Sequence, residues 1–306
     1  MRSTNWNGLL AVDKPAGMTS RRVVDHVERI VRPAKVGHAG TLDPLATGVL
    51  VIAVGAATRL ISYVQRETKE YIGQFRLGQR SDTDDIEGRI TPGGDTSHVT
   101  RELLCDLTTR FIGVVSQVPP QYSAIHVNGQ RAYALARQGE MVELQARPVE
   151  IHSIKVSRFE PPDFELQIEC GSGTYVRSIG RDLGELLGCG AIMTDLRRTR
   201  VGAFSLENAL PFDDVTVDSL QQAIQPPLLA VESMPRRSVS VAEVSDLRQG
   251  RSIVLGEMSG TVNSEVALVD EKARLIGLAR ITDRDRLQPH LVFPAAVFTD
   301  AKSSDC

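Results

Sequence analysis

The twelve residues Gly37-His38-Ala39-Gly40-Thr41-Leu42-Asp43-Pro44-Leu45-Ala46-Thr47-Gly48 leave the chain around them little freedom. Three glycines, one proline and two threonines surround the single carboxylate of Asp43, which is turn chemistry and not strand or helix chemistry. Val49-Leu50-Val51-Ile52-Ala53-Val54 follows at once, an apolar run that predicts a buried strand. A shaped loop anchored on a rigid strand suits an aimed side chain. Taken alone, Leu42-Asp43-Pro44 reads as an Asx turn bonded to its own backbone.

The rest of the chain is that of an ordinary soluble protein. Its 306 residues suffice for one large domain and a small one, and hydrophobic and charged fractions of 42% and 24% are globular values. The longest apolar run, Val49 to Ala57, is interrupted by Gly55 and too short to span a bilayer, and no secretory h-region opens the sequence. We expect a cytoplasmic protein. Cys105, Cys170, Cys189 and Cys306 form no CxxC pair, and the six histidines show no HExxH spacing. No metal or organic cofactor is implied. A net charge of -3 means that any nucleic-acid surface must come from local basic clusters.

Leu9 to Val12 predicts a short strand, and Asp13 to Ser20 ends in helix-capping residues. A helix over 21–31 places Val23, Val24, Val27, Ile30 and Val31 on one stripe, with Arg21, Arg22 and Arg29 opposite and Arg32 and Lys35 just beyond. Those cations suit an RNA backbone. A short helix begins at Ala56, and Lys69 to Leu77 alternates as a strand with Tyr71, Gly73, Phe75 and Leu77 on one face. Ser81 to Gly88 fails as a calcium loop, because Ile86 and Gly93 occupy ligand positions; it reads as an acidic turn. Thr100 to Phe111 is helical in pattern, Gln117 to Ala124 a proline-stiffened strand, Asn128-Gly129 a hairpin turn and Arg131 to Gln138 a helix. Phe164 to Cys170 alternates as a half-buried strand, and Asp182 to Leu187 is helical before Gly188. After Pro226-Pro227, short strands are predicted at 238–241, 253–255, 266–269 and 275–281.

GHAGTLDPLATGVL resembles the catalytic motif of the TruB family of tRNA pseudouridine synthases, nearly unbroken over fourteen residues. DKPAGMTS, the Lys69-x-Tyr71 pair, GTYVRSIGRDLGE and the Leu196-Arg197-Arg198 stretch resemble further motifs of that family. The resemblance implies an α+β fold: a catalytic domain with a mixed, mainly antiparallel central sheet flanked by helices, plus a small C-terminal β-rich, PUA-like domain. It divides the chain into 1–234, with a thumb-like insertion at about 117–147, then 235–298 and a tail at 299–306. It implies Asp43 as the catalytic carboxylate, Arg177 as its ion-pair partner and Tyr71 as the residue stacked on the target base. Tyr175 and Leu196 close the pocket, Lys14 and Pro15 help build the cleft, and His38 occupies the space left by a flipped nucleotide. The arginines of Leu196-Arg197-Arg198 and Arg131, Arg137 and Arg147 of the thumb are expected near RNA.

The chemistry fits these types. Pseudouridine formation detaches uracil from ribose C1′, turns it and rejoins it through C5, an exchange in which a carboxylate can take a covalent part. Desolvation disfavours an ionised carboxyl and a neighbouring guanidinium restores it. Leu45-Ala46 favours a stand-alone bacterial enzyme acting on uridine 55 of the tRNA T loop over guide-RNA-dependent relatives, which commonly carry Lys-Val there; Ala39 departs from the usual threonine, and a monomer is the separate expectation. tRNA is the expected partner, with no membrane and no obligate protein. A tRNA-folding chaperone uses the same basic surfaces, and an aspartate-dependent hydrolase requires a second carboxylate that the matching motifs do not offer.

Overall fold

A computed structural model describes residues 6–123, 126–127, 130–131, 143–256, 258–282 and 285–294. In chain order its strands are β1 (Gly8–Lys14), β2 (Val36–His38), β3 (Thr47–Val54), β4 (Lys69–Leu77), β5 (Gln79–Ser81), β6 (Ile90–Pro92), β7 (Gly113–Gln117), β8 (His126–Val127), β9 (Gln130–Arg131), β10 (Arg147–Glu160), β11 (Asp163–Cys170), β12 (Ala191–Val201), β13 (Phe204–Ser205), β14 (Leu210–Pro211), β15 (Arg236–Ser238), β16 (Ile253–Val254), β17 (Glu265–Val269), β18 (Leu275–Ile281) and β19 (Arg286–Val292). The longer helices are α1 (Ser20–Val31), α2 (Ile61–Arg66), α3 (Arg101–Thr108), α4 (Val176–Leu186), α5 (Val217–Ala223) and α6 (Val241–Arg248).

Among the described residues a ten-stranded sheet runs β14-β1-β3-β12-β4-β11-β10-β7, with β2 on β3 and β13 on β12. Two of its pairings, β1 with β14 and β3 with β12, are parallel, and the others are antiparallel. The unbroken apolar run of β3 follows from being covered on both faces. Leu50, Ile52 and Val54 join Leu10 and Val12 under the stripe of α1, while Val49, Val51 and Ala53 join Leu9 and Ala11 in a second buried cluster. Thr19 caps α1 by accepting from the Arg22 amide at 3.3 Å. Further along the sheet only one face is covered, so β11 alternates as its sequence does: Phe164, Leu166, Ile168 and Cys170 are buried. The helix α4 lies close on β4, and a Cβ at Gly180 would stand 2.4 Å from the Phe75 ring.

A second sheet, β15-β17-β18-β19-β16, encloses Val266, Leu268, Ile281 and Leu287 on one side. Its other side contributes Leu275, Leu278, Leu291 and Phe293 to the cluster that holds Leu60 and Val64 of the α2 region. No described helix is long and apolar enough to cross a membrane.

Several elements differ from expectation. The predicted strand at 117–124 ends instead at Gln117, since Pro119 and Pro120 have no amide to pair. The two short strands β8 and β9 pair across Asn128-Gly129, so Arg131 lies in a strand; the remainder of the helix predicted over 131–138 falls outside the described residues. The strand predicted at 238–241 lies earlier: β15 ends at Ser238, and Ser240 caps α6 through a capping box with Glu243. The helix predicted from Asp182 begins six residues earlier, at Val176.

Candidate active site

The parallel pairing of β3 with β12 decides where the site forms. It sets the loop that precedes β3 against Leu196 and Arg198, while β12 also pairs with β4 and brings up Tyr71. Arg198 is the cross-strand partner of both Gly48 and Tyr71. Gly48 has φ +98°, and a Cβ there would stand 2.2 Å from the Arg198 carbonyl oxygen, so this position requires glycine.

The loop is fastened at several points. Ser20 Oγ donates to Leu42 O at 3.0 Å and accepts from the Leu42 amide at 2.9 Å. The Gly17 amide donates to Pro44 O at 2.8 Å. Lys14, fully buried, donates to Pro15 O at 2.9 Å, Met18 O at 2.7 Å and Pro44 O at 3.4 Å. Arg198, also buried, donates from Nε to Val49 O at 2.7 Å and from Nη2 to Gly40 O at 3.2 Å.

So held, Asp43 faces a cleft of about 300 Å³ whose walls include Tyr71, Tyr175, Arg177, Leu196 and Arg198. Arg177 Nη2 lies 2.9 Å from Asp43 Oδ2; the carboxylate is 39% exposed and the guanidinium 6%. Arg177 also donates to Thr83 O at 2.9 Å and Tyr122 O at 3.1 Å, and its Nη1 lies 3.4 Å from the buried Asp85 carboxylate. Tyr175 precedes α4 and is pinned by Gln117, whose Nε2 donates to its carbonyl at 3.1 Å and whose Oε1 accepts its amide at 2.8 Å. Arg147 lies over the Tyr175 ring, 5.2 Å from its centroid, and donates to Gly173 O at 3.0 Å.

Burial shifts the ionisable groups around the cleft. It lowers Lys14 and Lys69 to about 8 each; Asp43 acts in the opposite direction on Lys14, and Arg198 adds to the lowering of both. Burial raises the Tyr71 hydroxyl, against the pull of Arg198. His38 is lowered by burial, with the Gly40 backbone opposing. Asp84 is raised to about 6 by burial, although Arg181 Nη1 lies 2.8 Å away.

Of the residues singled out in the sequence, Asp43, Tyr71, Tyr175, Arg177 and Leu196 meet in one cleft. Lys14 lies beneath the loop and His38 at the end of β2; neither belongs to the cleft wall. Of the arginines of β12, Arg197 pairs with Asp13 at 2.9 Å and Arg200 with Glu70 at 3.1 Å, both partly exposed, while Arg198 is interior and lines the cleft. Ser20, Asp85 and Gln117 are site residues to which the sequence assigned no role, and Lys69 and Arg198, marked there only as motif residues, line the cleft. The acidic turn carried a signal, since two adjacent aspartates in a turn need cations; Asp84 and Asp85 meet Arg181 and Arg177.

Comparison with known proteins identifies the family. Residues 28–176 match the model of the TruB family pseudouridylate synthase N-terminal domain, and 177–234 match that of the tRNA pseudouridylate synthase B C-terminal domain. The chain is 41% identical over 267 residues to tRNA pseudouridine synthase B of Paenarthrobacter aurescens (strain TC1), covering 85% of each chain. The chain belongs to the TruB family of pseudouridylate synthases. It is likewise 41% identical over 283 residues to tRNA pseudouridine synthase B of Mycobacterium leprae (strain TN), covering 89% of this chain and 87% of that one. Among solved structures it is similar to one of an H/ACA RNP bound to a substrate RNA containing 2′-deoxyuridine, with a TM-score of 0.74 at 25% identity, covering 95% of this chain and 87% of that one. Membership of the TruB family accounts for a mixed central sheet accompanied by a curled C-terminal β unit.

Proposed function

We propose that this TruB-family enzyme acts alone in the cytoplasm, converting uridine 55 in the T loop of tRNA to pseudouridine with Asp43 as the catalytic carboxylate. The observation that carries the reading is a partly exposed carboxylate in a cleft of nucleobase size, held at 2.9 Å by a guanidinium that is itself buried. The base must leave the loop stack to reach it, at a cost of a few kcal/mol. Stacking on Tyr71, with Tyr175 and Leu196 around it, recovers about 1–3 kcal/mol. Arg177 orients the carboxylate, and no step needs a metal or an organic cofactor. The five-stranded C-terminal sheet, from about residue 235, serves as a PUA-like RNA-binding module beside the catalytic domain.

Asp85 does not supply the second acid of a hydrolase. Its carboxylate is taken up by the Thr83 hydroxyl at 2.5 Å, the Glu87 amide at 3.0 Å and Arg177 at 3.4 Å. The test is incubation with an unmodified tRNA transcript followed by mapping of pseudouridine. Wild type is expected to modify position 55. Asp43→Asn, nearly isosteric but not nucleophilic, is expected to bind the transcript and leave it unmodified. Turnover by that variant, or a product at another position only, overturns the reading.

A further inference from the structure

The cleft floor is charged in a way that the Asp43–Arg177 pair does not explain. Lys69, 6% exposed, and Arg198, 2% exposed, both belong to the cleft wall beside Tyr71. Neither forms an ion pair with a carboxylate among the described residues. Arg198 is solvated by the carbonyls of Val49 and Gly40, and Lys69 by those of Gln65 and Glu67. An ammonium has three donors, so one on Lys69 is uncommitted among the described residues. Lys69 and Tyr71 stand two residues apart on β4 and therefore share a face. Burying cations without counter-ions is unfavourable, and a neutral uracil does not offset it. Phosphates do not explain it either, because they remain outside the pocket that receives the base.

The reaction creates a charge that does. When the C1′–N1 bond breaks, its electron pair leaves with the base. C1′ is compensated by bonding the Asp43 carboxylate or by losing its C2′ proton to it, and on either route the free base is an anion. C5 then bonds C1′ as the Asp43 carboxylate leaves it or, on the other route, as Asp43 returns its proton to C2′; the C5 proton passes to water and N1 takes one from water, so the product is an isomer of the substrate. We propose that Lys69, backed by Arg198, is the catalytic cation that stabilises the detached base as an anion. Fixed charges in a water-poor site act most strongly where charge develops during the reaction. The inference rests on the pseudouridine-synthase reading above.

The test is the single-turnover rate at which wild type, Lys69→Met and Lys69→Arg break the C1′–N1 bond in two transcripts, carrying uridine or 5-fluorouridine at the target. Fluorine occupies C5 and leaves no C5 proton to lose, so bond cleavage and not finished pseudouridine is read for both. Fluorine makes the base more acidic and therefore a better leaving anion. With uridine, Lys69→Met is expected to lose on the order of 10²-fold in rate, with transcript affinity unchanged, and Lys69→Arg to recover part of it. With 5-fluorouridine the loss should shrink to about tenfold or less, since less stabilisation is needed. A residue that merely props the fold would impose equal losses on both substrates; equal losses, or a loss under about threefold with uridine, overturn the proposal. Failure of wild type itself on uridine overturns the underlying reading instead.

If Lys69→Met does not fold, the pH profile decides. Lys69 faces Arg198 from β12, Cys170 from β11, and Glu67 and Tyr71 from its own segment. Its ammonium is lost as pH rises through about 8, so the wild-type rate should fall there. Lys69→Arg, charged throughout, should move that fall upward even though Lys14 titrates in the same range. A profile unmoved by Lys69→Arg counts against the proposal.

Discussion

Arg177 sits between two carboxylates, 2.9 Å from Asp43 and 3.4 Å from Asp85, yet only Asp43 is substantially exposed. The asymmetry divides the labour: Asp85 keeps the buried guanidinium neutralised, and Asp43 can leave its partner for a substrate atom without stranding a charge. Removing a partner from a buried cation leaves an uncompensated charge, which is costly. In Asp85→Asn, the amide preserves the shape of the turn but removes the charge, so Asp43 becomes the sole counter-ion and is held more tightly. We expect its single-turnover rate to fall on the order of 10–100-fold, the scale on which orienting partners act, with tRNA affinity unchanged by filter binding. An unaltered rate would show that Asp85 is a structural residue of the turn and nothing more.

The strand β12 shows what the sequence could and could not reveal. Asp195-Leu196-Arg197-Arg198-Thr199-Arg200 carries four charges in six residues, a pattern that ordinarily marks a solvated edge, yet it lies between β3 and β4 in the middle of the sheet. It is accommodated because its register shifts between Met193 and Asp195 and again between Arg198 and Arg200, because Asp13 and Glu70 take Arg197 and Arg200, because the Arg198 backbone packs where Gly48 has no side chain, and because the carbonyls of Val49 and Gly40 take the Arg198 guanidinium. Local signals sufficed for β3, β4, β11 and α1, whose periodicities report their covered faces, and the glycine-rich loop announced an aimed carboxylate. Burial of Lys14, Lys69 and Arg198 was illegible, since whether a cation is interior depends on strands distant in sequence. The fit at Gly48 is testable. Gly48→Ala places a methyl 2.2 Å from a backbone oxygen at φ +98°, a clash that no rotamer relieves. A loss of about 2–4 kcal/mol is expected by urea unfolding, together with loss of activity as the catalytic loop is pushed off β12. A change below about 0.5 kcal/mol would mean that β3 and β12 are not packed this closely.

Across the whole molecule, the C-terminal sheet bears on the element that closes one side of the cleft. Gln65 of α2 contributes to the cleft wall, and Lys69 holds the end of that helix. The opposite side of the same region packs Leu60 and Val64 against Leu275, Leu278, Leu291 and Phe293. Beside this apolar contact, Glu265 accepts from Tyr63 at 3.2 Å and Arg280 at 3.1 Å and lies 3.3 Å from His290, while the Tyr63 hydroxyl and His290 Nε2 are 3.0 Å apart. Burial lowers the His290 pKa below its usual 6.5, with Glu265 opposing and Arg280 adding to the shift. The sign follows from proton uptake. As pH falls through 6.5 the unfolded chain protonates this histidine before the folded one does, so stability is lost on the acid side and fully kept above it. One such group changes stability by at most about 1.4 kcal/mol per pH unit. Urea unfolding of wild type and His290→Gln at pH 7.5 and 5.5 isolates the His290–Glu265 pair, because the carboxylates that do not touch His290 titrate alike in both and cancel in the difference. Wild type should lose more stability between the two pH values than the variant. An equal loss would mean that folding leaves the His290 pKa where it stands in the unfolded chain.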